Sequence, residues 1–222
     1  MVFDPVWESV FREQEWGRYP GEDLVRFVAR NCRNAPVRSQ VKILEVGCGP
    51  GANLWYCARE GYSVFGIDGS ATAVRRANER LNVEVPGWSG TVHVGDISAL
   101  DAADCTFDLA IDNEAACCNS FDDSKLIFRE ISRVLKPGGK LYSRTFAVGS
   151  WGYGTGISVG LNAFECGEGP MKGKGYSRFT SEDQLAELLG SSLEIESVET
   201  LRRSMDGRKH EIIEWLVEAR KK

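Results

Sequence analysis

The sequence predicts an α/β fold built on an open, mostly parallel sheet. Three observations lead there. Short apolar runs alternate with helical patterns from residue 41 to residue 146. The first run, Ile43-Leu44-Glu45-Val46, breaks straight into Gly47-Cys48-Gly49-Pro50-Gly51. Near the C-terminus two alternating runs flank Met205-Asp206-Gly207, a hairpin signal that adds an antiparallel pair. Glycine accepts positive φ and has no Cβ, so a chain with this turn can bend sharply and lie close against a ligand. The turn alone does not name the ligand: Gly47, Gly49 and Ala52 also satisfy the dinucleotide pattern G-x-G-x-x-G/A.

A chain of 222 residues has room for one domain with a sizeable core, and neither a repeat nor a second domain is visible. The net charge of −5 argues against a nucleic-acid groove as the main surface, since phosphate neutralisation supplies much of such affinity. No apolar run reaches the ~20 residues that span a bilayer, and Asp4 and Glu8 follow Met1 where a signal peptide has its basic and apolar regions. A cytoplasmic protein without a membrane partner is expected, as monomer or homodimer. Seven cysteines without a C-x-x-C pair, and only two histidines, give no disulfide framework and no metal site.

Before the first strand, Val6, Trp7, Val10 and Phe11 mark one face of a short helix that ends at Trp16-Gly17-Arg18-Tyr19-Pro20. A second helix, about residues 21–34, carries Leu24, Phe27 and Val28 on one face. Both are extra to the core, so residues 1–36 are read as a helical lid. Within the core, residues 37–148, strand one spans 41–46 and a helix follows from Ala52 to about Glu60. Strand two spans 62–67 and closes on Asp68-Gly69-Ser70, where Ser70 suits a helix N-cap. Asp68 lies 21 positions after Gly47, about where a doubly wound fold presents a carboxylate to ribose hydroxyls. Strand three, 90–95, closes on Asp96-Ile97. Strand four, 107–111, runs into Asp112-Asn113-Glu114-Ala115-Ala116-Cys117-Cys118-Asn119. A helix over 121–135 then leads through Lys136-Pro137-Gly138-Gly139 into strand five, ending at Phe146.

Residues 149–175 hold nine glycines among Trp151, Tyr153, Phe164, Lys172 and Lys174. This reads as a flexible substrate loop over 149–176 with little structure of its own. Thr180-x-x-Asp183 resembles a capping box opening a helix with Leu185, Leu188 and Leu189 on one face. Residues 177–222 supply that helix and the terminal hairpin.

Glu45, two positions before Gly47, makes the glycine turn more specific. An apolar strand, an acid, then G-x-G-x-G resembles motif I of the class I S-adenosylmethionine-dependent methyltransferases, and Leu135-Lys136-Pro137-Gly138-Gly139 resembles the turn before their fifth strand. The resemblance spans about residues 40–146 and extends by pattern to the hairpin. It implies a Rossmann-like seven-stranded sheet of order 3-2-1-4-5-7-6, strand seven antiparallel and helices on both faces. It also implies S-adenosylmethionine as cofactor and S-adenosylhomocysteine as product. The methyl would pass in line to an O or N atom of a small-molecule acceptor, a sugar or secondary metabolite. Carried onto this chain, the cofactor residues are Glu45, Gly47, Cys48, Gly49, Asp68, Gly69 and Ser70, with Asp96 and Ile97 at the adenine and Asp112 and Asn113 at the amino group.

Arg18 is a further candidate, able to pair with a carboxylate in a fork. Glu114 and His210 are the base candidates, each with a plain alternative as a capping or surface residue. Trp7, Trp16, Tyr19, Trp151, Tyr153 and Lys172 are candidate acceptor contacts. The absence of N-P-P-Y or D-P-P-Y after strand four counts against DNA-base methylation. A metal-assisted catechol type lacks a second acid–Asn pair at strand five. A nicotinamide reductase would not need Glu45 or Asp96. A tRNA or protein acceptor, and a binding module without turnover, stay open.

Overall fold

The computed structural model describes residues 3–222. Its centre is a seven-stranded sheet built from β1 (Lys42–Val46), β2 (Ser63–Asp68), β3 (Gly90–Val94), β4 (Phe107–Asn113), β5 (Leu135–Phe146), β9 (Leu193–Met205) and β10 (His210–Lys221). The order is β3-β2-β1-β4-β5-β10-β9, parallel except for β10, which runs antiparallel to both neighbours. This is the order expected from the sequence. Chain direction reverses its lateral progress between β1 and β4, which pair with Val46 opposite Asp112. The carboxyl ends of these strands therefore flank the switch point where open α/β sheets take ligands.

Each face of the sheet carries its own core, because alternate side chains of a strand point to opposite faces. On one face Ile43, Val64, Leu109 and Ile111 pack under α2 (Glu22–Cys32), α3 (Ala52–Arg59) and α4 (Ala71–Glu84). On the other, Leu44, Val46, Ala110 and Val217 pack under α5 (Phe121–Val134) and α6 (Leu185–Leu189). The first helix, α1 (Val6–Glu13), leaves the sheet and lies against α4. Its Glu8 accepts hydrogen bonds from the Ser70 hydroxyl at 2.5 Å, the Thr72 hydroxyl at 2.5 Å and the Thr72 amide at 3.2 Å. These donors hold the Glu8 carboxyl down to about 2.

Two expectations change. The glycine-rich stretch is not structureless: β6 (Ile157–Gly160), β7 (Ala163–Glu165) and β8 (Tyr176–Arg178) form a small antiparallel sheet. Tyr153, Phe164 and Phe179 pack on one another beneath it, with ring centroids 5.4–6.2 Å apart. The glycines serve the turns. Gly156, at φ 76°, sits where a Cβ would come within 2.0 Å of the Glu165 carbonyl. The capping box, meanwhile, falls one residue later than Thr180-x-x-Asp183, on Ser181 and Gln184. Thr180 is taken instead by Arg178, whose Nη1 donates to its hydroxyl at 2.8 Å. Arg178 is 2% exposed, and its other nitrogens reach the Asn119 carbonyl and the Ser124 hydroxyl. It thus ties the small sheet to the segment after β4.

Candidate active site

The glycine turn leaves β1 in the left-handed region, with φ of 63° at Gly47 and 80° at Gly51. A Cβ on Gly47 would meet the Ala115 methyl at 2.3 Å, so an L side chain here is blocked by both backbone and neighbour. The turn places the Gly49 amide 2.8 Å from Asp68 Oδ2, while the Ser70 amide donates to Oδ1 at 2.8 Å. Asp68 is 6% exposed; burial raises its pKa and the two amides act against that rise. Each oxygen keeps a lone pair for a further donor.

Glu45, 2% exposed, accepts from Asn53 Nδ2 at 2.6 Å through Oε1, and its Oε2 is buried without a partner. Burial is the main reason its pKa is raised from 4.5 to about 8. A buried carboxylate oxygen without a donor is costly unless something else supplies one. Both Glu45 and Asp68 line a cavity of about 380 Å³, bounded also by Gly47, Cys48, Gly49, Gly69, Gly95, Ile97 and Asn113.

The wall continues into the segment after β4. Glu114, held at φ 62°, lies 3.2 Å from Arg144 Nε, and that guanidinium also donates to Glu214 at 3.0 and 2.6 Å. Burial, then a hydrogen bond shared with Glu214, pushes the Glu114 carboxyl well above its ordinary value. Arg144 thus bridges the buried Glu214 and the half-buried Glu114. Cys118 and Asn119 complete this side. The Cys118 thiol donates to the Glu114 carbonyl at 3.4 Å and is pushed up, first by Cys117 and then by burial; the Cys117 thiol, pointing into the core, is drawn down by the same contact.

The roof comes from two segments outside the main sheet. Phe3, Asp4, Trp7, Phe11, Trp16 and Tyr19 line the cavity from the N-terminal arm, and Pro170, Met171 and Lys174 from the β7–β8 connection. Trp7, Phe11 and Trp16 form one cluster with centroids 5.3–5.7 Å apart. The two segments touch: the Tyr176 amide donates to Asp4 at 3.4 Å, and Lys174 Nζ sits 4.8 Å over the Trp16 ring.

Several expected residues lie off this wall. Ser70 is fully buried, capping α4 through the Ala73 amide and bonding to Glu8. Asp112 turns inward and accepts from the Ala115 and Ala116 amides and the Ser143 hydroxyl. Asp96 accepts from the amide and hydroxyl of Ser98, so its neighbours Gly95 and Ile97 form the wall there. Arg18 pairs with Glu84. His210 stacks on Trp151 at 4.2 Å, Tyr153 packs beneath the small sheet, and Lys172 is exposed. The missed residues, Phe3, Asp4, Phe11, Arg144, Phe146 and Met171 among them, carry no local motif. Only Asn53, on the first turn after the glycines, had a position from which its role was readable.

The sheet order, the glycine turn and the acids at the ends of β1 and β2 are arranged as in the class I S-adenosylmethionine-dependent methyltransferases, and the chain is similar to that class in sequence and in fold. A family model described as a methyltransferase domain matches residues 44–143. The malonyl-[acyl-carrier protein] O-methyltransferase of Pseudescherichia vulneris is 32% identical over 51% of this chain and 42% of its own length. An arsenite methyltransferase of Aquipseudomonas alcaligenes is 30% identical over 46% of this chain and 31% of its own. The chain thus matches less than half of either relative. A solved structure described as a SAM-dependent methyltransferase from Methanosarcina mazei superposes with a TM-score of 0.69 at 25% identity, covering 82% of this chain and 93% of the other. Among the described residues no helix is long and apolar enough to cross a membrane.

Proposed function

We propose that this protein transfers the methyl group of S-adenosylmethionine to an O or N atom of a small-molecule acceptor. The observation that carries the reading is a single cavity with two kinds of wall. One holds the glycine turn, Asp68 and the unpartnered Glu45 oxygen; the other is an aromatic chamber closed by the arm and the β7–β8 connection. When bound, the cofactor supplies an activated methyl on a sulfonium, and the protein's task is alignment in a dry site.

In this reading Asp68 accepts the ribose hydroxyls, having spare lone pairs on both oxygens. Glu45 Oε2 accepts from the donor's ammonium, which removes its missing partner. Gly95 and Ile97 line the adenine end. The backbone of Gly47 and Gly49 lies against the methionine portion, which side chains there would exclude.

Glu114 is the carboxyl on the chamber side, pushed well above its ordinary value first by burial and then by Glu214. It is placed to hydrogen-bond the acceptor. His210, stacked on Trp151 away from the wall, is given no part in the transfer. The two roof segments act as a lid: they meet across the cavity, so the acceptor enters only when the Asp4–Tyr176 and Trp16–Lys174 contacts part.

An enclosed aromatic chamber and an acidic chain favour a metabolite over a nucleic acid. Incubation with methyl-labelled donor and a cell extract tests this. Label should appear in the low-mass fraction, each product one CH₂ heavier than its precursor. Label confined to RNA or protein would overturn the small-molecule assignment.

A further inference from the structure

The charged groups on the cavity wall are satisfied from within the protein, with two exceptions. Arg144 is taken by Glu214 and Glu114. Asp68 has two backbone amides, and Asp4 has those of Val6 and Tyr176. Glu45 Oε2 is the first exception, already explained by the donor's cation. The second is the Lys174 ammonium. It is half-buried, rests on the Trp16 ring, and makes no hydrogen bond or ion pair with any described residue.

A lysine that only covered apolar surface would run its stem along it and carry the charge out to water. Lys174 instead holds its ammonium over the face of Trp16 and lines the cavity with Met171, Cys118 and Glu114. It also belongs to an insertion that the cofactor-binding sheet does not require. We propose, on the reading of the site as a methyltransferase, that Lys174 recognises an anionic group on the acceptor, whose flat apolar body lies among Trp7, Trp16 and Phe146.

The same cation has one rival ligand, the carboxylate of the donor's methionine portion. Topology favours the acceptor. The donor's wall is made by the ends of β1, β2 and β3 and the turns after them, whereas Lys174 stands in the roof, within the field of Glu114. An ammonium over a tryptophan face is held by the ring without being neutralised, so it keeps its charge for a ligand.

The test uses the full chain saturated with S-adenosylhomocysteine. Its probes are naphthalene-2-carboxylate and naphthalene-2-carboxamide, which share a shape and differ in charge. The carboxylate should bind at least tenfold more tightly than the amide. Lys174→Met should abolish that preference, and Lys174→Arg should keep most of it. S-adenosylhomocysteine affinity should change less than twofold in Lys174→Met. Equal binding of the two probes, binding of neither, or a preference that survives Lys174→Met overturns the proposal. A tenfold loss of S-adenosylhomocysteine affinity in Lys174→Met also overturns it, moving the residue to the donor's carboxylate. Wild-type protein that binds no S-adenosylhomocysteine would break the methyltransferase reading instead, and calorimetry before the probes are added separates the two failures.

Discussion

The floor and the roof of the cavity are built by different means. On the floor, the key groups are held mostly from nearby in the chain: Asp68 by the Ser70 amide two residues on and the Gly49 amide 19 residues back, Glu45 by Asn53 eight residues on, and the glycine turn by its own backbone. The roof is assembled from segments about 170 residues apart, as in the Asp4–Tyr176 contact. Its two segments meet over the chamber at the Asp4–Tyr176 and Trp16–Lys174 contacts. The comparison teaches that, on the proposed reading, donor binding and acceptor selection rest on separate parts of one fold. The floor is set by strand ends and tight turns, while the roof lies outside both sheet cores.

Asp68→Ala strikes the floor hardest. It removes acceptors from two ribose hydroxyls and from the Gly49 and Ser70 amides at once. With hydrogen bonds to charged groups worth about 1.5–3 kcal/mol each, S-adenosylhomocysteine affinity measured by calorimetry should fall by roughly 100-fold. A loss below threefold would place the ribose elsewhere.

Glu45→Gln gives a smaller effect with a clear sign. The folded carboxyl titrates at about 8 against an ordinary 4.5. Between those values the folded protein keeps a proton that the unfolded chain has released, so apo stability falls as pH rises through this window. Binding of an ammonium favours the ionised form, so donor affinity should rise with pH up to about 8 and level off above it. Glu45→Gln should flatten both profiles and weaken donor binding about tenfold at pH 8. An unchanged pH profile in the variant would remove Glu45 from the donor site.

Glu8→Ala tests the coupling of roof to floor. Glu8 holds α1 to the N-terminus of α4, and its pKa of about 2 means that this latch is fully formed above pH 4.5 and is lost as pH falls through 2. The variant should show faster amide exchange in residues 3–16 and a severalfold weaker affinity for S-adenosylhomocysteine, with the sheet's protection unchanged. Exchange in the wild type should slow in that segment and in 170–176 together when the cofactor product binds. Protection already complete without it would make the roof a static flap.

The smallest effects are expected away from the cavity. His210→Ala and Arg18→Ala should each change turnover less than twofold, because His210 stacks on Trp151 and Arg18 pairs with Glu84 at the surface. A tenfold loss from either would show that the roof reorganises on binding and brings that residue inward.

The amino-acid sequence determined the sheet and most of the floor. Strand, acid and glycine turn are adjacent in the chain, so β1, Glu45, Gly47, Gly49 and Asp68 were readable from spacing, and the Asp206-Gly207 turn disclosed the antiparallel β10. Local chemistry also misled. Asp112 stands at a strand end facing the switch point, yet the Ala115 and Ala116 amides turn it inward. Ser70 was claimed by Glu8, 62 residues earlier. Aromatic and basic residues in the glycine-rich stretch were visible, but not which of them the small sheet would bury: Tyr153 goes beneath it, Trp151 to His210, and Lys174 alone among the residues singled out there reaches the cavity. Arg144, Glu114 and Glu214 form a unit only because β10 pairs with β5 in a particular register, with Glu214 opposite Phe146. Only the tertiary structure decided these placements, because non-local partners leave no fixed spacing in the chain and are set when the two cores pack.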